Sequence, residues 1–439
     1  MNMLNLLLGI AILWPLLLAI PRLHSSLPWS SHLAILPAVV LVFLPGDALL
    51  QLPWLFFTTG LSLNDDIRWV LVMSVILWLS AASLFKPDKS DTPTQQTSFF
   101  LMTLSGNLGV IFAGDLITFF IFATLMSYSF YALIVEKHDA PSRYAGHWYL
   151  IFLVLADLAL FEAMLLAASI NGNLSYALVR ENMTGTYSSF YLWMVLFGFT
   201  LKAGIWPFYF WVSASYQSSS QMTKVLLGGV PITMGLLGLL RWVPLGEQVF
   251  YTQGIVIQLL GAMAVLHATF KIFKHGFADR LTASLAIAAS GIFCIALGAV
   301  LVEPTLWQTY KNLSFPFIAI LGMTLAILSI LTEKYFSQHK TLNPAPHDIQ
   351  TIFQAWINKS WINKFGIYKA RVNKLSEIVQ HTTNALQNYP SILLATYLSI
   401  IEQYRNHSTN QKLIFLMSGW KAKITLFVLL GLAFAFLAR

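Results

Sequence analysis

Residues 197–211 read FGFTLKAGIWPFYFW, an apolar run interrupted by one charge, Lys202. Gly204 and Pro207 follow within five residues. An ammonium at mid-membrane costs roughly 2.5–3.5 kcal/mol on insertion scales, so such a side chain turns toward the protein interior or a wet cavity. Proline has no backbone donor, and its ring clashes with the carbonyl four residues back. For Pro207 that carbonyl belongs to Ala203, the neighbour of Lys202. Gly204 loosens the same turn. The stretch therefore predicts an interrupted helix with a lysine at the interruption, close to freed backbone acceptors, as in the discontinuous helices of transporters. A lysine held between burial and a nearby carboxylate can take up and release a proton. The competing reading is a lysine that snorkels or pairs for structural reasons.

The surrounding composition settles the broad class. The chain of 439 residues is 57% hydrophobic and 10% charged, with mean hydropathy +0.68. Soluble domains carry about a quarter charged residues, so this is a polytopic, all-α membrane protein. The net charge of +8 fits basic cytoplasmic loops rather than nucleic-acid binding. Apolar windows predict about twelve spans, at 3–20, 31–50, 68–85, 98–114, 116–135, 147–169, 189–211, 222–242, 250–272, 281–301, 313–335 and 413–437, the seventh broken at Pro207. The N-terminal run lacks a basic leader and a clear cleavage site, and reads as a retained first span. Basic residues concentrate after odd-numbered spans (Lys86, Lys137, Arg143, Lys224, Lys271, Lys274), whereas Arg68, Arg180, Arg241 and Lys311 follow even-numbered ones. The bias predicts a multi-pass protein with both termini on the non-cytoplasmic side.

Four segments follow: N-terminal transmembrane helices over 1–96, a transmembrane core over 97–335, a hydrophilic segment over 336–412 and a C-terminal anchor over 413–439. Within the third, Trp356, Ile357, Trp361, Phe365 and Tyr368 recur at helical spacing among Lys359, Lys364, Lys369 and Arg371. That is the pattern of a basic amphipathic helix lying in the membrane interface, or of a solvated helix packed on a partner. The lone Cys294 excludes internal disulfides and thiolate clusters. No Walker loop, no CxxC and no HExxH occurs, so no cofactor or metal is expected and any redox chemistry belongs to partner subunits.

The run 197–242, FGFTLKAGIWPFYFWVSASYQSSSQMTKVLLGGVPITMGLLGLLRW, resembles the core of proton-conducting antiporter-like membrane subunits. These occur in NADH:quinone oxidoreductase (chain M type), in Mrp-type cation/proton antiporters (the D-type component) and in membrane-bound hydrogenases. LQLPWLFF (50–57), FIFATLMSYSFYALI (120–134) and RYAGHWYLIFLVL (143–155) extend the resemblance in order over about 45–335. It implies that Lys202 is a central proton carrier, and that the chain works beside other membrane subunits of a respiratory or antiporter-type complex, moving protons or monovalent cations. The bacterial inner membrane is the location that the resemblance implies. The family's partner glutamate falls on Thr124, its eighth-span lysine on Thr233, and two histidines on Tyr209 and Tyr216. The family also carries about fourteen spans in two inverted repeats, so the second repeat here reads as truncated.

Threonine can hold a water but supplies no counter-charge. Asp157 and Glu162, in LADLALFEAML of the sixth span, are the candidate substitute carboxylates; pairing with a neighbouring subunit is the competing role for each. Asp115, at a span boundary, reads as interfacial, and His267 as a packing residue. Two functions stay open: an ion-translocating subunit working through Lys202, and a structural subunit of the same fold that seats partners without conducting. An independent transporter for a small solute is a distant third. Whether a carboxylate reaches Lys202 discriminates between the first two.

Overall fold

The computed structural model describes residues 3–26, 30–52, 59–85, 93–171, 174–182, 186–275 and 280–338. All belong to one compact unit, Met1–Asn343. The hydrophilic segment beyond residue 338 and the predicted last span lie outside the described residues.

The chain opens with α1 (Met3–Leu18), α2 (Pro21–Ser26), α3 (Ser30–Leu33) and α4 (Leu36–Phe43), then an antiparallel hairpin of β1 (Ala48–Leu52) and β2 (Thr59–Leu63). Next come α5 (Asp65–Leu84), α6 (Pro93–Phe112), α7 (Leu116–Ile134), α8 (Ala140–Asn171), α9 (Tyr176–Asn182), α10 (Thr186–Ala203), α11 (Phe210–Ser218) and α12 (Gln221–Leu227). A π-helical turn, Gly228–Ile232, joins α12 to α13 (Thr233–Trp242), and α14 (Tyr251–His275), α15 (Arg280–Val302) and α16 (Leu306–Gln338) complete the bundle. Seven helices among the described residues are long and apolar enough to cross a membrane. The fold is an all-α polytopic bundle with one small hairpin.

The helix predicted at 31–50 is shorter than expected and ends at Phe43. Pro37 restarts the helix as α4, which runs eight residues, and Gly46 at φ +107 turns the chain into β1. With α3, α4 makes an apolar stretch over Ser30–Phe43, a rise of about 21 Å against a hydrocarbon core about 30 Å thick. Arg68 fixes this arrangement: its guanidinium donates to Leu41 O (3.1 Å), Leu44 O (2.7 Å) and Gly46 O, the last carbonyls of α4 and the turn after it. Side-chain caps then start the long helices. Asn64 accepts from Ile67 N at 3.1 Å to begin α5, whose first turn carries Asp65 and Asp66. Asp115 accepts from Thr118 N (2.8 Å) to begin α7, and from Gly60 N (2.7 Å), which ties the hairpin to that helix end.

The element at the centre is α12–α13, almost wholly buried. Glycines let its neighbours come close. A Cβ on Gly235 would lie 2.8 Å from Ala203 N, so α13 touches the backbone of α10 there. A Cβ on Gly198 would lie 2.6 Å from Leu160 Cγ and 3.1 Å from Ala156 O, so α10 and α8 meet at the level of residue 157.

Candidate functional site

Lys202 sits in the last turn of α10. That helix ends in a left-handed cap: Gly204, at φ +65, donates to Leu201 O (3.3 Å), and Ile205 donates to Thr200 O (3.0 Å). The chain crosses Gly204 to Tyr209, including the cis Trp206–Pro207 bond, before α11 begins at Phe210. The helix thus stops at glycine, three residues before the proline that the sequence reading singles out. Thr200 O and Leu201 O take the cap amides, and Leu201 O also accepts from Trp211 Nε1 at 3.1 Å.

The polar partner of Lys202 is a side chain. Its Nζ lies 2.7 Å from Asp157 Oδ1 of α8, with side-chain exposures of 8% and 12%. The ammonium and carboxylate touch without a well-oriented hydrogen bond, and Asp157 Oδ2 has no partner among the described residues. A buried ion pair is sound only when its remaining hydrogen-bonding sites are met. Space for this exists: a cavity of about 20 Å³ opens on Lys202, walled by Phe119, Met126, Ser127, Tyr149, Trp211 and Met234 among others. Roughly 10–15 Å³ admits a water, so a water beside Lys202 fits.

The other candidates separate. Thr124 donates back to Phe120 O at 2.8 Å and closes on its own helix. Glu162 lies on the outward stripe of α8 with Leu158, Phe161 and Leu165, away from Lys202. Thr233 is fully buried at the end of the π turn, its hydroxyl without a partner among the described residues. His267 packs on the Tyr209 ring, centroids 4.5 Å apart, and Lys271 Nζ stands 4.3 Å over the same ring. Asp115 is a buried helix cap, and burial raises its pKa against the pull of its backbone hydrogen bonds.

Two groups escaped the sequence reading. Arg241, counted there as a loop charge, is 5% exposed and donates to Val110 O (2.7 Å) and Ile111 O (2.6 Å), the last turn of α6, with Tyr176 beneath its guanidinium. Glu136, just past α7, accepts from Gln96 and from Ser220 Oγ (2.9 Å), while Lys137 donates to Ser219 O (3.0 Å). Burial raises the Glu136 pKa, and the hydrogen bonds oppose it. Neither role has a local sequence signal.

The family model described as NADH:quinone oxidoreductase/Mrp antiporter, transmembrane, matches residues 113–300, from the cap of α7 through α15. This is a family-level match to the antiporter-like membrane subunits. Component B of hydrogenase-4 from Escherichia coli (strain K12) is 23% identical over 224 residues, 50% of this chain and 32% of that protein. Subunit N of the NADH-quinone oxidoreductase of Erythrobacter litoralis is 29% identical over 259 residues, 58% of the chain and 53% of that subunit. A chain of the Mrp complex from Dietzia sp. DQ12-45-1b superposes with TM-score 0.60 at 17% identity, covering 73% of this chain and 62% of that one; this likeness is of fold. The chain spans about a third to a half of the length of these two curated relatives.

Proposed function

We propose that this chain is an ion-translocating membrane subunit of a larger respiratory or antiporter-type assembly, moving protons or a monovalent cation at Lys202 and Asp157. The observation that carries the reading is the 2.7 Å contact between Nζ and Oδ1. Thr124, on α7, stands where related subunits have the lysine's glutamate, and the counter-charge comes instead from the next helix, α8. A pair with unmet hydrogen-bonding sites and an adjoining water-sized space can change protonation without rebuilding its surroundings. The interruption between α10 and α11 fits the same role, as the broken seventh span of the family fold. Partners are other membrane subunits, as the names of the relatives suggest, and a bacterial inner membrane fits the bacterial sources of two of those relatives.

A second reading, a non-conducting subunit that seats partners, draws support from Thr233: its buried, uncharged hydroxyl occupies the place of a second relay lysine. Proton and sodium flux through proteoliposomes holding the assembled complex separates the two. Lys202→Ala abolishes flux with assembly intact under the first reading. Unchanged flux with lost assembly establishes the second.

A further inference from the structure

Serines inside helices usually donate back to the carbonyl one turn earlier. Ser80, Ser83, Ser218 and Ser314 do so here, at 2.8–3.0 Å. Ser215 and Ser219 do not. Both are buried, at 0% and 2% exposure, and neither hydroxyl has a hydrogen-bond partner among the described residues. They lie four residues apart on α11 and its cap, so they share one face, and that face continues back to Trp211.

The two ends of this face are fixed by other contacts. Trp211 lines the Lys202 cavity and packs edge-on against Tyr149, centroids 5.0 Å apart. At the far end Ser219 O accepts from Lys137, and the next residue, Ser220, donates its hydroxyl to Glu136. Eight residues of helix, about 12 Å, therefore join the lysine cavity to a carboxylate at the end of the bundle. Two buried hydroxyls with no partner among the described residues punctuate the distance.

We infer that this serine face is a water-lined route that delivers protons, rather than a metal cation, between Glu136 and the Lys202–Asp157 pair. The inference rests on the function proposed above and deepens it. Each serine hydroxyl accepts one proton from a neighbouring water as it gives up its own, so it is unchanged after each passage. Glu136 takes a proton from solvent and releases it into the route. The proton ends on the Lys202 amine or the Asp157 carboxylate, whichever is vacant. Burial favours the protonated form of Glu136, which suits a group that collects protons. Gln96, Ser220, Thr223 and Lys137 are the groups set around it. A dehydrated cation needs a cage of oxygens in place of its hydration shell. The cavity instead has room for about one water between largely aromatic and aliphatic walls.

The test uses the assembled complex in a Cys294→Ser background, since Cys294 is the chain's one cysteine. Ser219→Cys and Ser215→Cys are expected to react with a small charged methanethiosulfonate reagent added from the Glu136 side, residue 219 faster than 215. Ser218→Cys, at a position whose hydroxyl is already engaged, stays unlabelled. Lack of reaction at both 215 and 219 overturns the route. In flux assays Ser215→Val with Ser219→Val lowers proton flux at least tenfold, and threonine at both positions restores most of it. If flux depends on Lys202 yet ignores the double valine variant, the route fails while the function stands. If Lys202→Ala leaves flux intact, the function fails first. Sodium flux lost in the double valine variant while proton flux survives overturns the proton assignment.

Discussion

Lys202 and Arg241 are both cations buried inside helices, and they are solved in opposite ways. Arg241 is finished: two backbone carbonyls accept from it at 2.6 and 2.7 Å, and a tyrosine ring lies beneath it. Those carbonyls close α6, where a cation also complements the helix dipole. Lys202 is unfinished. It faces one carboxylate, neither group has a well-oriented hydrogen bond, and a cavity opens beside it. A charge satisfied by rigid backbone acceptors belongs to the scaffold, whereas a charge left short of partners beside free volume can exchange a proton. Burial alone does not tell the two apart.

That contrast breaks first at Arg241. Arg241→Met removes two charge-assisted hydrogen bonds, each worth about 1.5–3 kcal/mol net, and strands two carbonyls of α6. The expected outcome is failure of the chain to accumulate in the membrane, read by immunoblot and by the melting temperature of any purified remainder. Lys202→Met with Asp157→Leu, which removes the pair as a whole, should accumulate near normally and lose flux. If the Arg241 variant is stable and the double variant is not, the assignment of scaffold and site is reversed.

Next is the pair itself. Breaking a buried ion pair by removing one partner costs about 3–5 kcal/mol, whereas replacing both by apolar groups is often neutral. Lys202→Met with Asp157→Leu is therefore expected to melt no lower than Asp157→Leu alone, which leaves the ammonium stranded. A double variant that loses the sum of the single losses would mean that the 2.7 Å contact contributes nothing.

A smaller effect is expected from the close approach that brings the pair together. Gly198→Val places a Cβ against Leu160 and the Ala156 carbonyl, and overpacking of this sort costs about 1–3 kcal/mol. Pushing α8 from α10 should lower flux more than stability. Gly198→Ala should show the same direction more weakly, measured by flux and thermal shift on one preparation.

Much of this architecture is legible in the sequence because membrane helices advertise themselves. Lys202 is conspicuous in an apolar run, and Asp157 and Glu162 are the acidic residues of the candidate span before it. Choosing between those two requires three dimensions. They are five residues apart on α8, which sets them on different faces, and only the packing at Gly198 decides which one looks inward. Other parts lie beyond local reading. The end of α10 belongs to Gly204 because a left-handed cap comes before the proline can act. The helix expected over 31–50 ends early, at Phe43, because Arg68 and Gly46 close it where hydropathy alone would extend it. Arg241 finds its acceptors 131 and 130 residues away, and no spacing rule connects them. The orphaned hydroxyls of Ser215 and Ser219 become visible only as bonds that are not made.

The smallest expected effects come from two carboxylates three residues apart, outside the membrane spans. Burial raises the Glu136 pKa from its ordinary 4.5, so the folded state holds this proton more tightly than the unfolded chain. Its contribution is fully present below about 4.5 and is lost as pH rises through the folded value. Asp139 is the reverse case. Hydrogen bonds from the Ser142 hydroxyl and amide lower its pKa from 3.8, so its contribution is present above about 3.8 and is lost as pH falls through the folded value. Glu136→Gln should therefore flatten the fall of melting temperature as pH rises above about 4.5, and Asp139→Asn the fall on acidification below about 3.8. The Asp139 change should be the slighter of the two, since that side chain is solvated and salt screens it. Identical pH profiles for Glu136→Gln and the unaltered protein would show that this carboxylate does not sense its burial, and would leave Ser220 bonded to an ordinary surface acid.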